Sequence, residues 1–281
     1  MAVNEIIMHM KNEIETREGV NIDDKRVMRE VMQQIALAGL YRGGFFDKAS
    51  FYGGTCLRMF YDLKRFSEDM DFSLDYPDPG FNIETYFRSI IEEFTSFGLS
   101  VSITKKQKKD ITSIESAFLK SDTQIYDIGM NDKSHIKIKI EVDTDPPTGF
   151  KTEGKLMNLP FSYYAKCVTI SDLFAGKMHA LIYRGWKNRV KGRDWYDFVW
   201  YVQRGVPLNL KHFALRVYQS ENKYENGITK EEFTDLLTDK IKKTDIGSVK
   251  KDISNFIYNE SELDIWSEQY FLDLIPYMKF I

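Results

Sequence analysis

Two carboxylates one residue apart, Asp69 and Asp71, follow a Gly53-Gly54-Thr55 turn after thirteen intervening residues. Side chains two apart on an extended segment share a face, so a strand here would point both carboxylates the same way. Their repulsion raises one pKa unless a cation lies between them. Hard divalent ions such as Mg²⁺ are held by carboxylates of this kind, with substrate phosphates completing the shell. Glycines lack a Cβ and let backbone approach an anion, and the N–H groups of such a turn, or of a helix start, favour phosphate oxygens. Thr55 adds a hydroxyl there. A phosphate turn ahead of a metal-binding pair suggests nucleotide chemistry. A polar-faced strand after an ordinary glycine turn is the plainer account of either half alone.

The elements that must position these groups are a helix from Cys56 to about Leu63 and a strand from Ser67 to Asp75. Asp69, Asp71 and Ser73 then share one face of the strand, and Met70, Phe72 and Leu74 the other. Ser134 to Asp143 alternates in the same way, with Ile136, Ile138, Ile140 and Val142 on one side and Lys137, Lys139, Glu141 and Asp143 on the other. Ser171 and Asp172 open a helix ending at Gly185, in which Lys177 lies four residues from both Leu173 and Leu181. A lysine on such an apolar face either snorkels to water or meets phosphate charge. In the helix GRDWYDFVWYVQRG, residues Trp195, Phe198, Val199 and Val202 make a buried stripe, while Asp194, Asp197 and Tyr201 fall on another face. Acids in a first turn are also expected from the helix dipole alone.

Gly53-Gly54-Thr55, followed by Leu57-Arg58, Tyr61, Arg65-Phe66-Ser67 and Asp69-Met70-Asp71, resembles the first motif of the nucleotidyltransferase superfamily. The form resembles the AbiEii branch, the toxin-like nucleotidyltransferases of abortive-infection and type IV toxin–antitoxin systems, related to the MenT toxins. The likeness runs over most of residues 45–205. It implies an α/β (α+β) nucleotidyltransferase fold: a small mixed sheet flanked by helices, then a helical C-terminal domain that closes the cleft. It implies an NTP substrate and Mg²⁺ or Mn²⁺ held by Asp69, Asp71 and a third carboxylate from a neighbouring strand, where Glu141 is the better match and Asp143 the reserve. By the same resemblance Gly53, Gly54 and Thr55 cradle the β and γ phosphates, with Arg58 and Asp197 also at the nucleotide. Lys177 matches a functional lysine, and Arg193-Asp194-x-x-Asp197 resembles the last motif, with Asp194 orienting or deprotonating the acceptor hydroxyl. The acceptor implied is the 3′ end of tRNA, its backbone met by Lys187, Arg189, Lys191 and Arg193. An antitoxin encoded nearby is the implied partner. A nucleotide-binding interaction protein without turnover, and a transferase acting on a small molecule or a protein, are the alternatives.

The remaining composition is ordinary. The 281 residues, 43% hydrophobic and 29% charged, suit a globular chain with an ample core, read as a nucleotidyltransferase domain over 1–165 and a helical domain over 166–281. No apolar run approaches the roughly 20 residues of a membrane span, and the N-terminus lacks the pattern of a secretory signal, so a cytoplasmic location is expected. Cys56 and Cys167 stand far apart with no zinc-ligand spacing. The net charge of −3 conceals local basic runs at 105–109 and 187–193. Helices are expected over 3–18 and 25–40, after Asn82, and through most of the segment beyond Ser171, with a capping box at Thr229. A strand is expected around Leu99 to Ile103, and residues 112–130 are ambiguous.

Overall fold

The computed structural model describes residues 3–19, 23–106, 123–131, 136–184 and 190–281. They divide into two units, Met1–Pro146 with Thr152–Cys167, and Pro147–Lys151 with Val168–Ile281. The first unit holds helices α1 (Val3–Glu18), α2 (Asp24–Arg42), α3 (Gly53–Tyr61) and α4 (Phe87–Ser96). Its strands are β1 (Ala49–Tyr52), β2 (Asp69–Leu74), β3 (Val101–Lys105), β4 (Thr123–Met130), β5 (Lys137–Asp143), β6 (Thr152–Met157) and β7 (Tyr163–Val168). They form one mixed sheet in the order β3-β4-β5-β2-β1-β7-β6. The β1–β2, β3–β4 and β4–β5 pairs are antiparallel, whereas β2–β5 and β1–β7 are parallel.

The two alternating segments pair at the centre of this sheet, which explains why their apolar residues are the most completely buried. Met70, Phe72, Ile138, Ile140 and Val142 are almost wholly excluded from water. The Phe72 ring meets Phe45 edge-on at 5.0 Å and stacks on Phe51 at 5.0 Å. Helix α2 begins at the Asp23 cap, whose carboxylate accepts from the Lys25 N–H, and buries Val27, Val31, Ile35 and Ala38 as their helical spacing requires. Its Gln33 amide donates to the carbonyls of Ser67 and Glu68, fixing the backbone just ahead of the two aspartates.

Local pattern and final structure differ at two places. The helix after the glycine turn starts at Gly53 rather than Cys56, so the turn is itself the first turn of α3. Strands β6 and β7 arise between Asp145 and Ser171, a stretch to which the sequence reading assigns no element. β6, with sequence TEGKLM, lies at the sheet edge with most of its residues half-exposed or exposed, and carries no apolar alternation to reveal it. Of the ambiguous stretch, residues 123–130 form β4, and residues 112–122 lie outside the described residues.

The second unit is mainly helical: α5 (Ile170–Tyr183), α6 (Gly192–Gln203), α7 (Leu210–Glu221), α8 (Lys230–Lys242), α9 (Ile246–Ile253) and α10 (Glu268–Leu274). Two-residue strands β8 (Pro207–Leu208) and β9 (Lys279–Phe280) pair in parallel. The Thr229 capping box forms with both reciprocal bonds. Helix α6 is buried from Asp194 to Val202 on every side rather than along one stripe, so its acids lie inside the unit. The C-terminal aromatic segment packs on the same helix, with Phe271 against Trp195 at 4.8 Å. No described helix is long and apolar enough to cross a membrane.

Candidate active site

The parallel register of β2 on β5 sets Asp69 beside Lys139, Asp71 beside Glu141 and Ser73 beside Asp143. All six project from the same side of the sheet, because each strand is sampled at alternate residues. Glu141 is therefore the immediate neighbour of Asp71. Asp143 stands one step farther along and accepts a bond from the Asp145 N–H. Lys139 Nζ lies 2.6 Å from Glu141 and 3.3 Å from Asp69. Burial works against its ammonium, but Asp69 and Glu141 more than reverse this and hold the lysine above its usual range. Among the described residues no three His, Cys, Asp or Glu converge on a single point. The donor set is nonetheless all oxygen, with two carboxylates on one strand and a third alongside, and it fits a hard divalent cation that completes its shell with phosphate and water.

Antiparallel pairing of β1 with β2 sets Tyr52 opposite Asp71, so the glycine turn begins against that carboxylate. Gly53 has φ +80°, and a Cβ built on it would lie 2.3 Å from Asp71 Oδ2. Both facts demand glycine. A Cβ on Gly54 would meet the Arg65 guanidinium at 2.6 Å. The Thr55 hydroxyl is fully buried and bonded to the Asp69 carbonyl and, at 2.9 Å, to the Ser67 hydroxyl. Its visible task is to tie the start of α3 to β2. Arg58, expected at the nucleotide, is 2% exposed, with Nε 2.7 Å from Glu30 and Nη1 donating to the carbonyls of Lys64 and Arg65. Helical spacing places it on the inner side of α3, where it braces the chain between α3 and β2.

In the second unit, Lys177 on α5 lies 2.9 Å from both Asp194 and Asp197 on α6. Arg184 adds a contact of 3.0 Å to Asp194. Burial alone would raise the Asp194 pKa, but Lys177, Arg184 and Lys191 reverse this and hold its carboxyl well below the usual range. The lysine and the two acids are thus brought together, and the lysine does not snorkel into solvent. Of the basic loop, Lys187 and Arg189 lie outside the described residues. Lys191 is half-buried, and Arg193 places its guanidinium 4.2 Å from the centre of the Phe256 ring. Lys139 and Arg65 are charged neighbours to which the sequence reading gave no role of their own. The signal for Lys139 was its position two residues before Glu141 on the same face of an alternating strand.

A family model described as "Nucleotidyl transferase AbiEii toxin, Type IV TA system" matches residues 35–266. A comparison with curated proteins found no match. Among solved structures, MenT4, a nucleotidyltransferase toxin from Mycobacterium tuberculosis, superposes with a TM-score of 0.59 at 14% identity, covering 99% of this chain and 99% of that chain. JHP933 from Helicobacter pylori superposes with a TM-score of 0.53 at 15% identity, covering 91% of this chain and 92% of that one. At such identities the likeness is one of fold.

Proposed function

The chain belongs to the AbiEii family of nucleotidyl transferase toxins of type IV toxin–antitoxin systems, and from that premise we propose that it moves a nucleoside monophosphate from an NTP to the 3′ end of tRNA. A bond forms between the acceptor oxygen and the α-phosphorus as the bond to pyrophosphate breaks, and the hydroxyl proton is released to solvent. The observation that carries this reading is the single sheet face shared by Asp69, Asp71 and Glu141 beside the Gly53 turn. Mg²⁺ or Mn²⁺ held by Asp69 and Asp71, with Glu141 alongside, supplies charge neutralisation at the phosphates. Backbone N–H groups of Gly53 and Gly54, at the open start of α3, suit the β and γ phosphate oxygens. Lys177 offsets charge developing on the triphosphate. Asp194, held so far below the ordinary carboxylate range, is a weak base, and its role in this reading is to orient charge and hydroxyl rather than to take the proton.

The test incubates the purified chain with each α-³²P-labelled NTP, Mg²⁺ and total cellular RNA, beside Asp69→Asn and Lys177→Met variants. Label in a tRNA-sized band from the parent protein, reduced about 10²-fold or more in each variant, is the expected result. NTP binding without labelling of any RNA, protein or small molecule would replace the transferase with a nucleotide-binding interaction protein. Label in a protein or small molecule alone would replace the acceptor and leave the chemistry.

A further inference from the structure

The carboxylate face contains a cation of its own. Lys139 projects between Asp69 and Glu141, with ion pairs of 3.3 and 2.6 Å, and its side chain is only 20% exposed. Asp69 and Glu141 are themselves 29% and 23% exposed, so these pairs are shielded from water more than an ordinary surface contact. The parallel register sets Lys139 directly beside Asp69, which leaves the ammonium little choice of partner. On the far side, β4 presents Asp127 to Lys139, and Lys106 approaches that aspartate at 4.0 Å. On this face Asp69, Asp71, Glu141 and Asp143 are the acids and Lys139 the base, so carboxylates outnumber the cation set among them.

We propose that Lys139 is the resident counter-ion of this cluster: it holds Asp69 and Glu141 together in the metal-free protein and opposes the entry of the divalent cation. The proposal rests on the reading above that Asp69 and Asp71 hold a metal. Like charges on adjacent strands repel, and a positive charge set among them offsets part of that repulsion. A fixed ammonium does so before any ligand arrives. The same positive charge weakens the attraction for an incoming cation. Lys139 is in this sense a positioning residue, acting through the carboxylates.

The experiment uses the full chain without nucleotide. Mn²⁺ is titrated calorimetrically into the parent protein and into Lys139→Gln, Lys139→Arg and Asp69→Asn, and each is melted in EDTA and in saturating Mn²⁺. The expected result is that Lys139→Gln melts lower than the parent in EDTA, binds Mn²⁺ about tenfold more tightly, and recovers most of the lost melting temperature when metal is added. Lys139→Arg, which keeps the charge, should behave as the parent does. Mn²⁺ affinity unchanged or weakened in Lys139→Gln, while the parent binds and Asp69→Asn does not, overturns the counter-ion role and leaves the metal reading intact. Absence of Mn²⁺ binding in both the parent and Lys139→Gln removes the metal reading and the proposal together.

Discussion

At the scale of single residues, acids and bases in each cluster pair with one another, and this makes specific substitutions informative. Asp71 and Gly53 press against each other, so Gly53→Ala forces both a left-handed backbone and a clash with the carboxylate at 2.3 Å. Its transfer activity should fall by about 10²-fold or more in a labelled-NTP assay. Gly98→Ala, at φ +67° with nothing within 4 Å of its Cβ, should cost only about 1 kcal/mol of stability and leave transfer alone. Lys191 supplies a pH test. Burial, with Arg184 beside it, pushes its ammonium down to about 7 against the attraction of Asp194. An unfolded lysine keeps its proton to about pH 10, so between those values the unfolded state holds the extra proton and stability rises with pH. The cost of charging Lys191 is fully present below pH 7 and fades above it. Lys191→Met should therefore raise the melting temperature more at pH 6 than at pH 9, and a gain that is equal or larger at pH 9 would refute the assignment.

Between elements, one carboxylate holds three helices. Glu30 on α2 is 1% exposed and meets Arg58 on α3 at 2.7 Å and Arg17 on α1 at 2.5 Å. Breaking such a pair leaves a buried charge without its partner. Glu30→Ala should lower stability by about 3–5 kcal/mol in urea unfolding, and the double change Glu30→Leu with Arg58→Met should recover much of it. Equal loss in the single and double variants would mean that packing, not charge, carries the cost. Strand β6 joins α3 through Tyr61, whose hydroxyl donates to Glu153 at 2.6 Å while Lys155 lies 4.3 Å from the ring centre. Tyr61 stood in the motif without an evident chemical task. The structure assigns it this bracing one.

For the whole molecule, family membership implies an antitoxin partner, and the consequence is a growth phenotype. Expression of the chain without its antitoxin should arrest growth of its host, and Asp69→Asn should relieve the arrest at equal protein level. Arrest that persists in the Asp69→Asn protein would detach toxicity from the proposed chemistry. The charge clusters of the two units make a further comparison possible. Asp69→Asn removes a carboxylate from a partly exposed face and should leave folding nearly intact. Asp197→Asn alters a wholly buried ion cluster, at 0% exposure, and should lower both activity and melting temperature.

Local spacing in the sequence determined what depends on near neighbours. The two-residue step placed Asp69 and Asp71 on one face, alternation marked β5, the Thr229 box began α8, and the glycine turn with its aspartates carried the resemblance to the family. Tertiary structure decided what depends on pairing between distant segments. The register of β2 on β5 chose Glu141 over Asp143 as the neighbour of Asp71 and delivered Lys139 among the carboxylates. The packing of α3 on α2 turned Arg58 inward to Glu30. Burial of α6 on all sides made Asp194 of its first turn and Asp197 of its second the partners of Lys177. Strand β6 emerged only in the sheet, because a half-exposed edge strand needs no apolar alternation of its own. A side chain's face follows from its own backbone, whereas its neighbour across a sheet follows from a register that no local spacing encodes.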